Sequence, residues 1–281
     1  MLITLEEILE IAEKEKCAIG SFNTPNMTSV KAVITAAEEL NRPVILMHAQ
    51  VHEEMGLCKI EEIAPIMKMF AERAKVPVCT HLDHGEDLDY IEKGLELGFT
   101  SVMYDGSNLD ADVNLANTKI AVEMAKRFGA SVEAEIGSMG ARESGTGGSD
   151  ESVYTDPDAA KAFAKETGID ALACAFGTAH GLYLKAPRLD FARLEKINAL
   201  TDIPLVMHGG SGVSDEDYRR VISLGVRKIN YYTYMAKAGG AAVEKMEDKT
   251  FFHDMEIAAM MAMKENVKKA IEVFSTPGDK V

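Results

Sequence analysis

Eight short apolar segments, separated by longer stretches with helical periodicity, constrain the fold of this 281-residue chain more than any other feature. Each segment is apolar on both faces, as is typical of a parallel strand buried between helices. Several helical stretches end in glycine just before the next segment, which is typical of a helix C-terminus. The segments span residues 17–22, 43–48, 77–83, 100–105, 131–136, 170–176, 203–208 and 226–230.

Eight strands that each precede a helix predict a closed (β/α)8 barrel, the TIM barrel, in the α/β class. A barrel of this kind takes about 250 residues, so we expect one domain over residues 1–281. An open doubly wound sheet is less consistent with the sequence, because no glycine-rich turn follows Phe22. After the eighth strand, residues 254–274 predict an extra C-terminal helical tail.

The charge of the chain excludes several classes of partner. With 30 Lys and Arg against 45 Asp and Glu, the net charge is −15, so we expect no binding to nucleic acid or to anionic membranes. The first 16 residues predict an acidic amphipathic helix and not a signal peptide. The four cysteines form neither a disulfide framework nor a CxxC site. We therefore expect a cytoplasmic protein.

Polar and ionisable side chains lie at the carboxyl ends of six successive predicted strands, from the third to the eighth. Active sites of TIM barrels lie at this end of the strands, so the pattern predicts one shared site. The residues are Asp83 and His84 (third strand), Asp105 (fourth), Glu133 and Glu135 (fifth), His180 (sixth), His208 (seventh) and Asn230 (eighth).

Three histidines of this set, His84, His180 and His208, come from different strands and could converge over the barrel mouth. Three neutral imidazoles with an open fourth position form a catalytic zinc site. Any one of them alone would more often be a structural histidine, but the set of three favours a metal. His81 shares the face of Asp83 and is a candidate to support the site, whereas His48 and His52 have no clear role.

The acidic residues of the set have both functional and structural interpretations. Asp83 could orient a histidine or exchange a proton with a substrate hydroxyl, or it could cap a helix that begins near Glu86. Asp105 has the same alternatives. Glu133 and Glu135 alternate with small apolar residues, which indicates that they face the barrel interior, where a metal would compensate their burial.

Glycine-rich loops follow the sixth and seventh strands. The loops after strands seven and eight form the usual phosphate site of this fold, and Gly209, Gly210 and Gly212 would let backbone N–H groups approach an anion. A tight turn alone would also explain these glycines. The segment 137–152 after the fifth strand is rich in glycine and serine and predicts a mobile lid.

Several motifs together resemble the class II fructose-bisphosphate and tagatose-bisphosphate aldolases. The resemblance extends in order over nearly the whole chain, from Phe22–Asn23 to the tail. The motifs are HLDHG (residues 81–85), SVMYDGS (101–107), VEAEIG (132–137), GTAHG (177–181), HGGSG (208–212) and KIN (228–230).

The resemblance implies an enzyme that cleaves a ketose phosphate, either a 1-phosphate or a 1,6-bisphosphate, into dihydroxyacetone phosphate and an aldehyde. His84, His180 and His208 would hold one Zn²⁺ per chain, and Asp105 and Glu135 match a second or alternative metal position. Asp83 would be the acid/base for the C4 hydroxyl, and Glu143 matches a mobile glutamate that moves the proton at the nucleophilic carbon. The positions that match the dihydroxyacetone phosphate site are Gly181, Gly209, Ser211, Asn230 and Thr233.

Family members often carry a monovalent cation near this phosphate, and we also expect a homo-oligomer, either a dimer or a tetramer. No lysine is needed as a Schiff base, and the sequence places none at a strand end within an apolar shell.

Three features of the sequence depart from the family pattern. Ala49 stands where a Ser or Thr is usual, and tyrosines at 231, 232 and 234 surround Thr233. His253 stands where the bisphosphate enzymes carry an arginine that binds the phosphate of the aldehyde half. Because histidine is mostly neutral near neutral pH, this departure predicts an aldehyde half without a phosphate.

Two other functions are compatible with the same residues. A metal-dependent sugar-phosphate isomerase or epimerase would share the barrel and the metal, although Asp83 and Glu143 together favour an aldolase. A non-catalytic stabilising subunit of an aldolase complex would be expected to lose metal ligands, and here all three histidines are present.

Overall fold

The eight apolar segments form eight parallel strands that close into one barrel, which confirms the predicted fold. The computed structural model describes residues 1–137, 154–181 and 187–276. Neighbours in sequence are neighbours in the barrel, and the eighth strand pairs with the first. The strands are β1 Ile19–Asn23, β2 Val44–Ala49, β3 Val78–Gly85, β4 Ser101–Tyr104, β5 Ser131–Ile136, β6 Ala171–Cys174, β7 Leu205–Met207 and β8 Val226–Tyr231.

Helices surround the barrel and connect successive strands. The predicted tail is confirmed as α11, which begins at Phe252 and packs against α2 and α10. The helices within the described residues are α1 Leu5–Glu15, α2 Met27–Leu40, α3 Gln50–Glu54, α4 Ile60–Arg73, α5 Leu88–Glu96, α6 Ala111–Phe128, α7 Pro157–Thr167, α8 Phe191–Leu200, α9 Asp215–Ser223, α10 Thr233–Glu244 and α11 Phe252–Phe274. None of these helices is long and apolar enough to cross a membrane.

Local sequence signals explain where the helices begin and end. Helix α1 starts with a capping box, in which the Thr4 side chain accepts from the Glu7 N–H and the Glu7 carboxylate accepts from the Thr4 N–H. Helix α7 starts with Asp156 as the N-cap and Pro157 in the first turn, and it ends at Gly168 with φ of 68°.

Helix α1 closes the N-terminal end of the barrel. Its buried face contains Leu5, Ile8 and Leu9, each at most 1% exposed. These side chains form one apolar cluster with interior residues of the strands, among them Ile45 and Val206. The barrel interior is therefore dry and apolar at this end.

The interior becomes polar towards the C-terminal ends of the strands. His81, Glu133 and Lys228 are all fully buried inside the barrel. Burial of a charge raises the free energy of the folded state unless the charge is paired. The placement of these residues therefore indicates that the interior near the C-terminal ends of the strands is a functional site and not ordinary core.

Candidate active site

An irregularity in β3 brings Asp83 and His84 to the same cleft. Consecutive residues of a regular strand point to opposite faces. The register of β3 against β4 shifts between Leu82 and Gly85, and His84 adopts φ of 46°, a left-handed conformation that is uncommon outside glycine. Both side chains line the cleft at the C-terminal end of the barrel. The alternative role of Asp83 as a helix cap is wrong, because the N-cap of α5 is Asp87.

The three predicted histidines converge at this cleft. The ring centroid of His84 lies 5.0 Å from that of His180 and 4.7 Å from that of His208. One ring nitrogen from each of the three lies within 4.8 Å of the other two. This arrangement could hold a metal ion with three imidazole ligands.

Carboxylates orient two of the three imidazoles. His84 Nδ1 lies 2.6 Å from Asp105 Oδ2, and His208 Nε2 lies 2.8 Å from Glu133 Oε1. The remaining nitrogens, His84 Nε2 and His208 Nδ1, face each other at 3.0 Å. A ring that donates to a carboxylate through one nitrogen presents the other as a ligand, which is the usual support of metal-binding histidines.

The electrostatic field of the cleft favours a cation. Burial opposes a charge on His84, but Asp83 and Asp105 outweigh it and raise the pKa of His84 to about 10. Burial and the negative charge of Asp105 raise the pKa of Glu135 well above its ordinary value. Burial also opposes ionisation of Asp83, yet the charge on His84 keeps the pKa of Asp83 below its ordinary value.

Within the described parts of the chain, two further groups of side chains have the spacing of metal ligands. His84, Asp105 and Glu135 form one of them, and the family resemblance matched Asp105 and Glu135 to a second or alternative metal position. His81, Asp83 and Glu133 form the other, but the Nζ of Lys228 lies 2.9 Å from Glu133 Oε2 and already supplies a cation there.

Lys228 belongs to this site although the sequence motifs assigned no role to it, and it, and not a metal, pairs with Glu133. They face each other across the barrel interior from β5 and β8. The alternation of side chains along a strand could have pointed to Lys228, because residues two apart lie on the same face. Lys228 is two residues from Asn230, so it shares the face of a residue that the sequence had already placed at the barrel mouth.

The glycine-rich loops form one wall of the cleft, here called the glycine wall and defined by Gly181, Gly209, Gly210 and Ser211. Gly209 has φ of 61°, and a Cβ there would lie 2.3 Å from the carbonyl oxygen of Ala179. Only glycine therefore lets the β7 loop approach the loop that carries His180. Thr233 and Asn230 also line the cleft beside this wall.

The opposite side of the cleft is formed by α3, which directly follows β2, and by the loops after β3 and β4. We call it the amide–carboxylate wall, defined by Gln50, Glu54, Glu86 and Asn108. Gln50 Oε1 accepts from the Glu86 N–H at 3.0 Å, which ties α3 to the loop after β3. Ala49 lies at the base of this wall and has no hydroxyl. Among the described residues that line the cleft, none is a lysine or an arginine.

His253 does not approach the cleft. Its side chain is 70% exposed, lies 3.6 Å from Asp254 and stacks on Phe251. Of the three unusual tyrosines, Tyr231 and Tyr232 line the cleft, and the N–H of Tyr232 donates to Ser211 Oγ at 3.1 Å. The ring of Tyr234 packs against Gly212 on the outer side of the glycine-rich loop.

His48 is buried on the helix-facing side of β2 and is not part of the cleft lining. Its Nε2 lies 3.3 Å from the Tyr90 hydroxyl, which donates to Glu53. Burial, together with His52, lowers the pKa of His48 to about 3, so this ring is neutral. Glu143 and residues 138–152 of the predicted lid lie outside the described residues.

Comparison with known proteins gives the same assignment. The chain matches the family model for class-II fructose-bisphosphate aldolase over residues 3–279. YdjI of Escherichia coli strain K12, described as an uncharacterized protein, is 37% identical over 276 residues, which cover 95% of each chain. A crystal structure described as the YdjI aldolase of Escherichia coli K12 aligns with a TM-score of 0.88 and 36% identity over 99% of both chains.

A more distant structure supports the fold alone. The fructose-bisphosphate aldolase of Campylobacter jejuni aligns with a TM-score of 0.82 at 22% identity and covers 99% of this chain and 97% of that one. The closed barrel, the match along nearly the whole chain and the aldolase among its structural relatives lead to one conclusion. This chain belongs to the class II fructose-bisphosphate aldolase family, and it is an aldolase, a lyase that cleaves carbon–carbon bonds.

Proposed function

We propose that the protein is a zinc-dependent aldolase that reversibly cleaves a ketose phosphate to dihydroxyacetone phosphate and an aldehyde. The convergence of His84, His180 and His208 beside Asp83 carries this proposal. The oligomeric state and the cellular compartment stay predictions from the sequence.

The donor set fits zinc. Three imidazoles with at least two of them held by carboxylates are typical of catalytic zinc sites, and no thiolate lies in the described lining of the cleft. When bound, zinc supplies a Lewis acid that polarises the C2 carbonyl of the substrate and offsets the charge that develops during cleavage. Asp105 and Glu135, next to His84, offer a second or alternative position for the ion.

The glycine wall binds the phosphate of the dihydroxyacetone half. Gly181, Gly209 and Ser211 lie in the loops after β6 and β7, and Thr233 begins α10 directly after β8. Backbone N–H groups and a helix N-terminus attract an anion even in a protein with a net charge of −15. A monovalent cation near this phosphate is part of the proposal and rests on the resemblance to the family.

Asp83 exchanges the proton of the C4 hydroxyl. It is 3% exposed, and its Oδ2 lies 3.9 Å from Nε2 of His84, so it lies beside one of the proposed zinc ligands. Its Oδ1 accepts from the Asn230 amide at 3.1 Å, and as a carboxylate held in this way it accepts the hydroxyl proton as the C3–C4 bond breaks. We assign the proton at C3 to Glu143 from the sequence resemblance.

The aldehyde half extends towards the amide–carboxylate wall. The glycine wall follows β6 and β7, and Asp83 lies on β3, so the substrate carbons beyond C4 must point towards the loops after β2 to β4. This side offers two amides and two glutamates to the substrate, and its described residues offer no cation. We therefore propose that a ketose 1-phosphate with hydroxyl groups on its far end is preferred over a 1,6-bisphosphate.

A coupled assay for dihydroxyacetone phosphate release tests the proposal. Purified protein with measured zinc content is offered ketose 1-phosphates and the two 1,6-bisphosphates, fructose and tagatose. Release of dihydroxyacetone phosphate supports the aldolase. Conversion of the ketose to an isomeric sugar phosphate without this release would instead indicate an isomerase or epimerase.

A further inference from the structure

Among the described residues, one lysine ammonium is buried beneath the cleft. Lys228, on β8, is fully buried, and its Nζ lies 2.7 Å from Asn230 Oδ1 and 2.9 Å from Glu133 Oε2. A buried ion pair contributes little net stability compared with an apolar pair of the same size. Its presence inside an otherwise filled barrel therefore calls for a reason other than packing.

The ammonium determines which way the Asn230 side chain faces. A lysine ammonium can only donate hydrogen bonds, so the atom of Asn230 that faces it must be the amide oxygen. The amide NH2 group then faces the other way, and it donates to Asp83 Oδ1 at 3.1 Å. Without a donor at position 228, the oxygen of Asn230 could turn towards the carboxylate and repel it.

Glu133 balances the charge of Lys228 and connects it to a second part of the site. Its Oε2 pairs with Lys228, and its Oε1 accepts from His208 Nε2 at 2.8 Å. One fully buried ion pair thus lies beneath both Asp83 and His208. Lys228 is thus linked through Glu133 to His208 and through Asn230 to Asp83, and only the second link reaches the acid/base.

We propose that Lys228 is a positioning residue for the reaction, which orients Asn230 so that Asn230 holds Asp83 against the C4 hydroxyl. The proposal rests on the role of Asp83 in the function proposed above. Lys228 itself touches neither the substrate nor the metal ligands, and it acts as the donor that keeps the amide in one orientation.

The alternative is that Lys228 only neutralises Glu133. The two half-reactions separate these roles. Cleavage and condensation need the C4 hydroxyl and therefore Asp83, whereas exchange of the C3 proton of dihydroxyacetone phosphate with solvent deuterium does not. A purely structural lysine would affect both reactions to the same degree.

The experiment compares Lys228→Met with Lys228→Gln in the full-length, zinc-loaded protein. Both replacements are neutral and similar in length, but only glutamine offers an N–H donor to Asn230. The same pair is made in a Glu133→Gln background, which removes the unpaired carboxylate in case the single variants do not fold. Zinc content, unfolding temperature, kcat and KM for cleavage, and the deuterium exchange rate are measured for each, with the matching parent as reference.

We expect Lys228→Met to lower kcat for cleavage by about 10- to 100-fold, in the range for misplacing an acid/base, with exchange within about threefold of the parent. Lys228→Gln should retain several times more cleavage activity than Lys228→Met. Equal losses in cleavage and exchange, or equal activity of the two variants, would overturn the proposal. A parent protein that neither cleaves ketose phosphates nor catalyses the exchange would instead refute the proposed function.

Discussion

The two ends of this barrel are built from the same eight strands and are both buried, but one has an apolar interior and the other a polar, charged one. At the N-terminal end, Leu5 and Leu9 of α1 fill the interior together with apolar strand residues. At the C-terminal end, the interior holds Asp83, Glu133 and Lys228, all of them buried. The first end lowers the free energy of the folded state, and the second spends part of that stability on a preorganised polar site.

The change from one end to the other is visible within a single strand. Cys79, His81 and Asp83 are spaced two residues apart along β3, and all are at most 3% exposed. Cys79 belongs to the apolar cluster under α1. His81 Nδ1 lies 2.8 Å from the Ser101 hydroxyl oxygen, and Asp83 lines the cleft. The role of a buried residue therefore depends on its position along the barrel axis. Substitutions near the N-terminal ends of the strands should mainly affect stability, and those near the C-terminal ends should mainly affect catalysis.

The largest expected effect concerns the metal at the C-terminal end. Removal of zinc with a chelator should abolish cleavage, and zinc or cobalt should restore it. His208→Ala should cost most of the rate and lower metal content below one ion per chain, as should the same change at His84 or His180. Metal content by atomic spectroscopy and dihydroxyacetone phosphate release are the measurements.

His48→Gln is the matched control for this prediction. His48 is equally buried at the same end of the barrel, but it faces the helices and not the cleft, so its variant should keep the metal. Full activity of the metal-free protein would show that the three histidines have only a structural role.

The second prediction concerns Asp83. Asp83→Ala should keep fold and zinc but lower kcat for cleavage by about 10²–10⁴-fold, the usual range for an acid/base. Asp87→Ala is the control, because Asp87 lies at the start of α5 without a side-chain capping bond. Near-normal turnover of the Asp83 variant would leave this carboxylate with no catalytic role.

The third prediction concerns substrate choice. A far-end phosphate would meet Glu54 and Glu86 with no cation among the described lining residues, so catalytic efficiency should favour ketose 1-phosphates over the bisphosphates by roughly 100-fold, as for a lost charged contact. Glu54→Gln should narrow this gap, because it removes a repulsive charge. The ratio of kcat/KM values decides the question, and a bisphosphate preferred tenfold would contradict the assignment of this wall.

The smallest effect on catalysis is expected at the N-terminal end. Leu9→Ala should lower the free energy of unfolding by about 2–5 kcal/mol, because it leaves a cavity under the barrel. The kcat of the folded variant should stay within about twofold of the parent, since Leu9 lies at the far end of the strands from the cleft. Denaturant unfolding and steady-state kinetics on the same sample test this; a kcat reduced tenfold in a folded, zinc-loaded variant would argue against the functional separation of the two ends.

Much of this architecture could be predicted from the sequence. The strands were recognised by their apolar composition, although β6 and β7 are shorter than the segments that predicted them, ending at Cys174 and Met207. The convergence of the histidines was also predicted, because the carboxyl ends of all strands in a closed parallel barrel meet at one rim. The roles given to Gly181, Ser211 and Thr233 rest on their positions in the cleft and stay proposals.

The sequence alone determined the barrel, the polar ends of its strands and the choice of His84, His180 and His208 as candidate metal ligands. These follow from the periodicity of each segment and from the residues that come directly after each strand, and both can be read along the chain. Two features needed the tertiary structure. His84 turns into the cleft beside Asp83 because the pairing of β3 with β4 slips there, which strand alternation does not predict. Lys228 meets Glu133 only because closure of the barrel brings β5 and β8 face to face across the interior. The hydrogen bonds from Lys228 to Asn230 and from Asn230 to Asp83 likewise depend on that closure, because Asp83 lies on β3.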